Sequence, residues 1–328
     1  MDPTSLVRGP DGSPMFIDRT GQAVWVFDPR TGKGSIAVKE GDGSGRVIVA
    51  EPRFLATGGV DLVMLDSQGT LWRWRTAGTG TLIELRKPDD PVLGDNVTIL
   101  KTYLIDPNAN LYYVYAADPT AQQIHRFQLA GDGIGFSDSD GYLVAQNEDV
   151  GLFRDIFVST SLYTLDGDQV VRHYQGRVQD DFRLATPPDD ADVHPGHDYR
   201  FLTAVDDRFY IYDAKWQRIV VFARETGLYI EQWQSAPKVP PLADLRGMYI
   251  DPSGRDRVPP DLYWITTTGL YRSPLDDDRG GKLTTVATPP PKRTPAPDKT
   301  KRPGRRGDRP GRQDGVDASP APSPSPEP

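Results

Sequence analysis

Cysteine is absent from this 328-residue chain, which excludes disulfides and thiolate metal sites and leaves the redox compartment unmarked. No apolar run approaches the roughly 18 residues of a membrane-spanning helix, and the polar start Met1-Asp2-Pro3-Thr4-Ser5 lacks the charged-then-apolar pattern of a secretory leader. The cytoplasm is the default expectation, reversed if the chain belongs to a larger protein with a domain ahead of it. Long segments of 3.6-residue apolar periodicity are missing as well, which argues against a helical architecture. The nucleophile motif Gly-x-Ser-x-Gly and the phosphate-binding P-loop are both lacking. Gly43-Ser44-Gly45 and Gly131-Asp132-Gly133-Ile134-Gly135 have no strand-to-helix context and read as loops.

What the chain has in excess is glycine and proline, 32 and 31 residues, close to a fifth of its length. Twelve of the prolines fall in Ala287–Pro328, a stretch with no aromatic residue and almost nothing apolar larger than alanine, so no core can form there. Residues 287–328 are therefore expected to be a disordered, low-complexity tail behind a folded body at 1–286. Nine Lys and Arg against five Asp and Glu give the tail +4, which leaves −12 on the body of a chain whose net charge is −8. An acidic body argues against nucleic-acid binding by its surface, whereas the basic run Lys299–Arg312 is suited to an anionic surface or to a solvated linker.

The body repeats. Short apolar runs close on Asp18, Asp66, Asp106, Ser159, Asp206 and Asp251, at intervals of 48, 40, 53, 47 and 45 residues. Each is followed by one or two more strand-length runs rich in Val, Ile, Tyr, Phe and Trp and separated by Gly, Pro, Asp and Asn. Phe209–Tyr212, Arg218–Phe222 and Leu228–Trp233 do this in the fifth unit. The fourth strand of the first unit is expected at Arg46–Ala50. Lys282–Val286 is expected either to complete the sixth unit or to close the ring against the N-terminus. Six units with a period of about 46 residues predict an all-β, six-bladed β-propeller, with Val178–Asp198 inserted between the fourth and fifth blades. Strands such as Val24–Phe27 and Leu262–Ile265 should supply its core.

In the fifth unit, Leu202-Thr203-Ala204-Val205-Asp206, Phe209-Tyr210-Ile211-Tyr212-Asp213 and Arg218-Ile219-Val220-Val221-Phe222 together resemble an NHL repeat, and Leu245–Asp251 is similar to the opening of the next one. From about Ser5 to Val286 the chain resembles NHL-like and TolB-like six-bladed propellers, and its texture is similar to sensor-type propeller regions of larger bacterial proteins. That resemblance implies a binding module. Because six-bladed propellers also include calcium-dependent lactonases, it implies as alternative a hydrolase with calcium in the central channel, for which Glu51, Asn96 and Asp155 are the nominees.

For the binding reading, the candidate ligand- or partner-contacting residues are Arg75, Tyr115, Trp216 and Arg218, of the residue types enriched in interface hot spots, each near a turn. Trp216 stands out because the turn Asp213–Gln217 does not itself require a large ring. No residue is assigned to catalysis and no metal or other cofactor is expected, calcium being the alternative. The partner would be a protein or small molecule on a propeller face. The repeated aspartates read as turn caps. His194 and His197, beside Asp189, Asp190 and Asp192, read as a solvated acidic loop, because a zinc site needs three or four fixed ligands. His125 and His173 read as half-exposed strand residues.

Overall fold

The computed structural model describes residues 1–44, 47–75, 81–86, 93–137, 140–144, 148–188, 196–235, 242–252, 260–275, 282–283 and 286–288. The chain divides into two units, Met1–Lys292 and Arg293–Pro328, and the second, which holds most of the expected tail, lies outside the described residues.

The first unit is a six-bladed β-propeller. Its first blade pairs Pro3–Arg8, Pro14–Asp18, Ala23–Asp28 and Lys33–Lys39 in an antiparallel meander, and the second pairs Pro52–Gly58, Asp61–Asp66, Leu71–Arg75 and Leu82–Leu85. The inner strands of the remaining blades are Ile99–Asp106, Phe153–Val158, Tyr199–Val205 and Gly247–Asp251. Inner strands of successive blades touch all the way round, and that of the sixth touches that of the first, so the ring is closed. Helical structure among the described residues is limited to two short 3-10 turns, Val150–Leu152 and Leu242–Asp244.

The core is partitioned into six apolar clusters, each between two neighbouring blades. A sheet packed on both faces buries both sides of its central strands. That is why Asp61–Asp66 and Asp261–Thr266 are buried at every position and read as continuous apolar runs rather than as alternation. Val24, Phe27 and Leu262–Ile265 are core residues as expected.

Three strand assignments need correction. The repeating apolar run is the second strand in blades one and two, where it ends at Asp18 and Asp66, and the inner strand in blades three to six. The 40-residue interval arises from this change of strand. Measured on inner strands alone, which end at 8, 58, 106, 158, 205 and 251, the period is 50, 48, 52, 47 and 46 residues. The outer strand of blade one is Lys33–Lys39, while Val47–Ile48 pairs with Gly43–Ser44 in a separate hairpin. Blade six is completed by Val286–Thr288 against Gly269–Pro274, and Lys282–Leu283 lies parallel to the outer strand of blade five, Tyr229–Ser235. Ring closure therefore exchanges no strand between the chain ends.

Candidate functional site

The feature that recurs around the disc is an aspartate closing the second strand of five blades: Asp18, Asp66, Asp118, Asp166 and Asp213, with Thr266 in the sixth. Asp66 shows what it does. One carboxylate oxygen accepts the Gln68 and Thr70 amides of the following turn, and the other accepts the Ala50 amide (3.2 Å) and the Trp72 indole (2.8 Å). Asp18 accepts the Asp2 amide at 2.9 Å and Asp213 the Asp198 amide at 3.2 Å. Each carboxylate thus ties the chain ahead of the inner strand to the second strand of the same blade. Asp106, one of the aspartates marked by the sequence repeat, caps its own turn through the Asn108 and Ala109 amides.

Arg218 is a member of this clamp rather than a surface residue. It is fully buried, its Nε and Nη2 donate to Asp213 at 3.3 and 3.2 Å, and its Nη1 donates to Gln232 at 2.6 Å. His197 Nδ1 lies 3.1 Å from the same carboxylate, with its ring stacked on Tyr199. Tyr115 is likewise buried, edge-on to Tyr113 and Tyr142 in the cluster between blades three and four, and burial pushes its hydroxyl well above the usual tyrosine range. Neither side chain is placed to meet a partner.

Arg75 and Trp216 keep part of their side chains exposed. Arg75, at the end of the third strand of blade two, donates from Nε to buried Asp61 at 2.9 Å and keeps 42% of its side chain exposed. Trp216 is half-buried. Its indole donates to the Gly196 carbonyl at 2.8 Å, and Lys215 Nζ lies 5.4 Å from the ring centre. The four nominees are spread over blades two, three and five and form no common site. His194, Asp189, Asp190 and Asp192 fall outside the described residues.

The channel shows how the calcium nominees are used. Leu6, Leu55, Leu100, Asp155, Phe201 and Met248, one from each blade, line a cavity of about 200 Å³. Asp155 Oδ1 accepts Lys101 Nζ at 2.8 Å and the Ile156 amide at 2.9 Å, and Oδ2 accepts the Leu202 amide of the next blade at 2.9 Å. An ammonium stands where a cation would be needed. Asn96 instead donates to Asp118, and the Glu51 carbonyl accepts the Ser67 amide. Among the described residues no three His, Asp or Glu side chains gather as metal ligands. Ser5, held at φ 56° beside a bulge, accepts the Leu55 amide on its Oγ at 2.9 Å.

Blade four carries a second polar group that periodicity does not reveal. His173 is fully buried, not half-exposed as expected, with Nε2 at 3.1 Å from Thr164 Oγ1 and 3.4 Å from Glu148. Burial pushes the imidazole down to about 4. Burial and the Asp166 charge push the Glu148 carboxyl up to about 7. Thr164 and Glu148 address the same ring nitrogen, so the group is not a nucleophile–base–acid relay, in which the two partners must sit on opposite nitrogens. His125 is also buried, 3.7 Å from Asp118.

A groove of about 990 Å³ opens between blades one and six, where Arg8 pairs with Asp251 at 2.8 Å. Arg30, Lys33 and Tyr263 line it, and Tyr263 is stacked on Tyr249 at 4.9 Å.

No family model matches the sequence, and no curated protein matches it either. Among solved structures the chain is similar to virginiamycin B lyase from Staphylococcus aureus, at 12% identity and a TM-score of 0.50 over 87% of this chain and 84% of that one. A streptogramin B lyase structure is similar at 12% identity and a TM-score of 0.50, over 86% and 82% of the two chains. A chain of a nidogen/laminin complex reaches a TM-score of 0.47 at 14% identity, over 70% and 79%. At such identities the likeness establishes the propeller fold and nothing of the chemistry. Among the described residues no helix is long and apolar enough to cross a membrane.

Proposed function

We propose that this propeller is a non-catalytic binding module that takes a protein or small polar ligand on one of its faces. The observation that carries this reading is Asp155. The carboxylate best placed in the channel to hold a catalytic metal is saturated by an ammonium and two amides. The clamping aspartates Asp66 and Asp213 are committed to structure in the same way. The groove between blades one and six has the volume of a ligand site, roughly 300 to 1,000 Å³, and mixed charge at its rim. Arg75 and Trp216, the two nominees with exposed surface, are the proposed partner contacts.

The test sets binding against metal-dependent hydrolysis. The melting temperature is measured in EDTA and over a calcium series, alongside turnover of a simple lactone. We expect no saturable calcium stabilisation and no turnover. A rise in melting temperature that saturates with calcium, accompanied by lactone opening, overturns the proposal in favour of the hydrolase. Once a partner is in hand, Arg75→Ala and Trp216→Ala should weaken its capture without lowering the melting temperature by more than a few degrees.

A further inference from the structure

The channel cavity is cationic although the body around it is acidic. Three basic residues line it: Lys101, Arg154 and Arg246. Two are neutralised locally, Lys101 by Asp155 at 2.8 Å and Arg246 by Asp244 at 2.7 Å. Arg154 is solvent-accessible, and none of the described carboxylates lies within ion-pair distance of it. A guanidinium with no ion pair among the described residues, its charge felt by Asp166, therefore lines a small cavity where six blades converge.

The backbone adds donors to the same space. Each inner strand has a strand neighbour on one side only, so its free edge presents amides to the channel. At two places this demand is visibly met by an acceptor side chain, Ser5 Oγ for Leu55 and Asp155 Oδ2 for Leu202. Both acceptors are oxygens, and both belong to the preceding blade. A volume of about 200 Å³ holds an oxyanion and a few waters but not a drug-sized molecule. A guanidinium offers the planar fork that fits carboxylate and phosphate oxygens.

We propose that the central channel is a binding site for a small oxyanion, a phosphate or a carboxylate, held by the Arg154 guanidinium with Lys101 and Arg246 beside it. This goes beyond the face-binding reading and does not depend on it: partner capture on a face can fail while the channel still binds its anion.

The experiment uses the full chain and two probes, inorganic phosphate and acetate, each titrated at ionic strength held constant with sodium chloride and followed by melting temperature and calorimetry. Arg154→Gln removes the fork, and Arg86→Gln, exposed on blade two and outside the cavity, is the control. A saturable rise with one probe, retained in R86Q and weakened at least tenfold in R154Q, supports the proposal, and the probe that produces it identifies the anion as phosphate or carboxylate. A rise of equal affinity in R154Q overturns it, as does no saturable rise with either probe. Stabilisation that chloride reproduces at the same ionic strength also overturns it, since that is screening of the acidic body.

Discussion

Glu148 gives the sharpest check on the electrostatics of this propeller. Its carboxyl sits 3.4 Å from His173 and is 18% exposed, and burial followed by the Asp166 charge raises it from the ordinary 4.5 to about 7. Asp166 is itself raised, by burial and then by Asp168 and Asp149, with only Arg154 opposing. Near neutrality the proton of the Glu148–His173 pair resides on the carboxyl, because burial holds the imidazole near 4. A carboxyl raised on folding favours the folded state fully below the unfolded value of 4.5, and that advantage is lost as pH rises toward 7. Each pKa unit is worth about 1.4 kcal/mol, so the loss is at most about 3 kcal/mol, and about 1 to 2 kcal/mol once solvent at the partly open carboxyl is allowed for. Glu148→Gln keeps the shape and stays neutral at every pH. Urea unfolding of both proteins between pH 5 and 8.5 should show nearly equal stability at pH 5 and the variant ahead by about 1 to 2 kcal/mol at pH 8. A gap that is the same at both ends would refute the reasoning, because it would show that Glu148 ionises alike in the folded and unfolded chain.

His173→Gln should flatten the acid limb of the same curve. The folded imidazole is depressed, so its contribution is present above 6.5 and disappears as pH falls toward 4, and wild type and variant should separate only below pH 6.5. Arg218→Ala strands the buried Asp213 and should cost about 3 to 5 kcal/mol in urea unfolding, against less than about 1 kcal/mol for Trp216→Ala; similar losses would mean Arg218 is not the buried partner described. Asp66→Ala orphans four donors and should cost about 2 to 4 kcal/mol, whereas Asp106→Ala, which frees two turn amides, should cost about 1 kcal/mol or less, again by urea unfolding.

The blade count was legible because a sheet buried on both faces writes its central strands as unbroken apolar runs, and those runs recur once per blade. Phase was not. Leu62–Asp66 and Tyr103–Asp106 have the same texture, but one is a second strand and the other an inner strand, and a run ending in Asp does not distinguish them. The recurring aspartate is hidden for the same reason: Asp118 and Asp166 close strands whose preceding residues differ, and only their shared register against the third strand makes their positions equivalent. Tyr115 and Arg218 were nominated because Tyr and Arg are enriched in interfaces, yet Arg218 is buried with an aspartate five positions earlier in chain, a pairing visible only once the hairpin is folded. Asp155 was correctly placed in the channel, but Lys101 lies a whole blade away in sequence, so its neutralisation could not be anticipated.

Closure without strand exchange places a demand on one seam. Blade one is built wholly from residues 3–39 and blade six wholly from residues after 246, so what joins them is the cluster of Leu6, Phe16, Phe27, Tyr249, Tyr263, Ile265 and Leu270 together with the Arg8–Asp251 pair. At Gly247 the two inner strands approach closely: a Cβ there would lie 2.9 Å from Leu6 Cβ and 3.0 Å from the Leu6 amide nitrogen. Gly247→Ala must therefore push the seam apart, at a cost of about 1 to 3 kcal/mol. The exposed ion pair should contribute less than about 1 kcal/mol, which Arg8→Gln would show. If the seam is the weakest joint, amide exchange in Gly247→Ala should speed up first in the inner strands of blades one and six and leave blades three and four protected. Uniform acceleration around the ring would mean instead that the propeller opens only as a whole, and that packing at this seam matches every other interface in the disc.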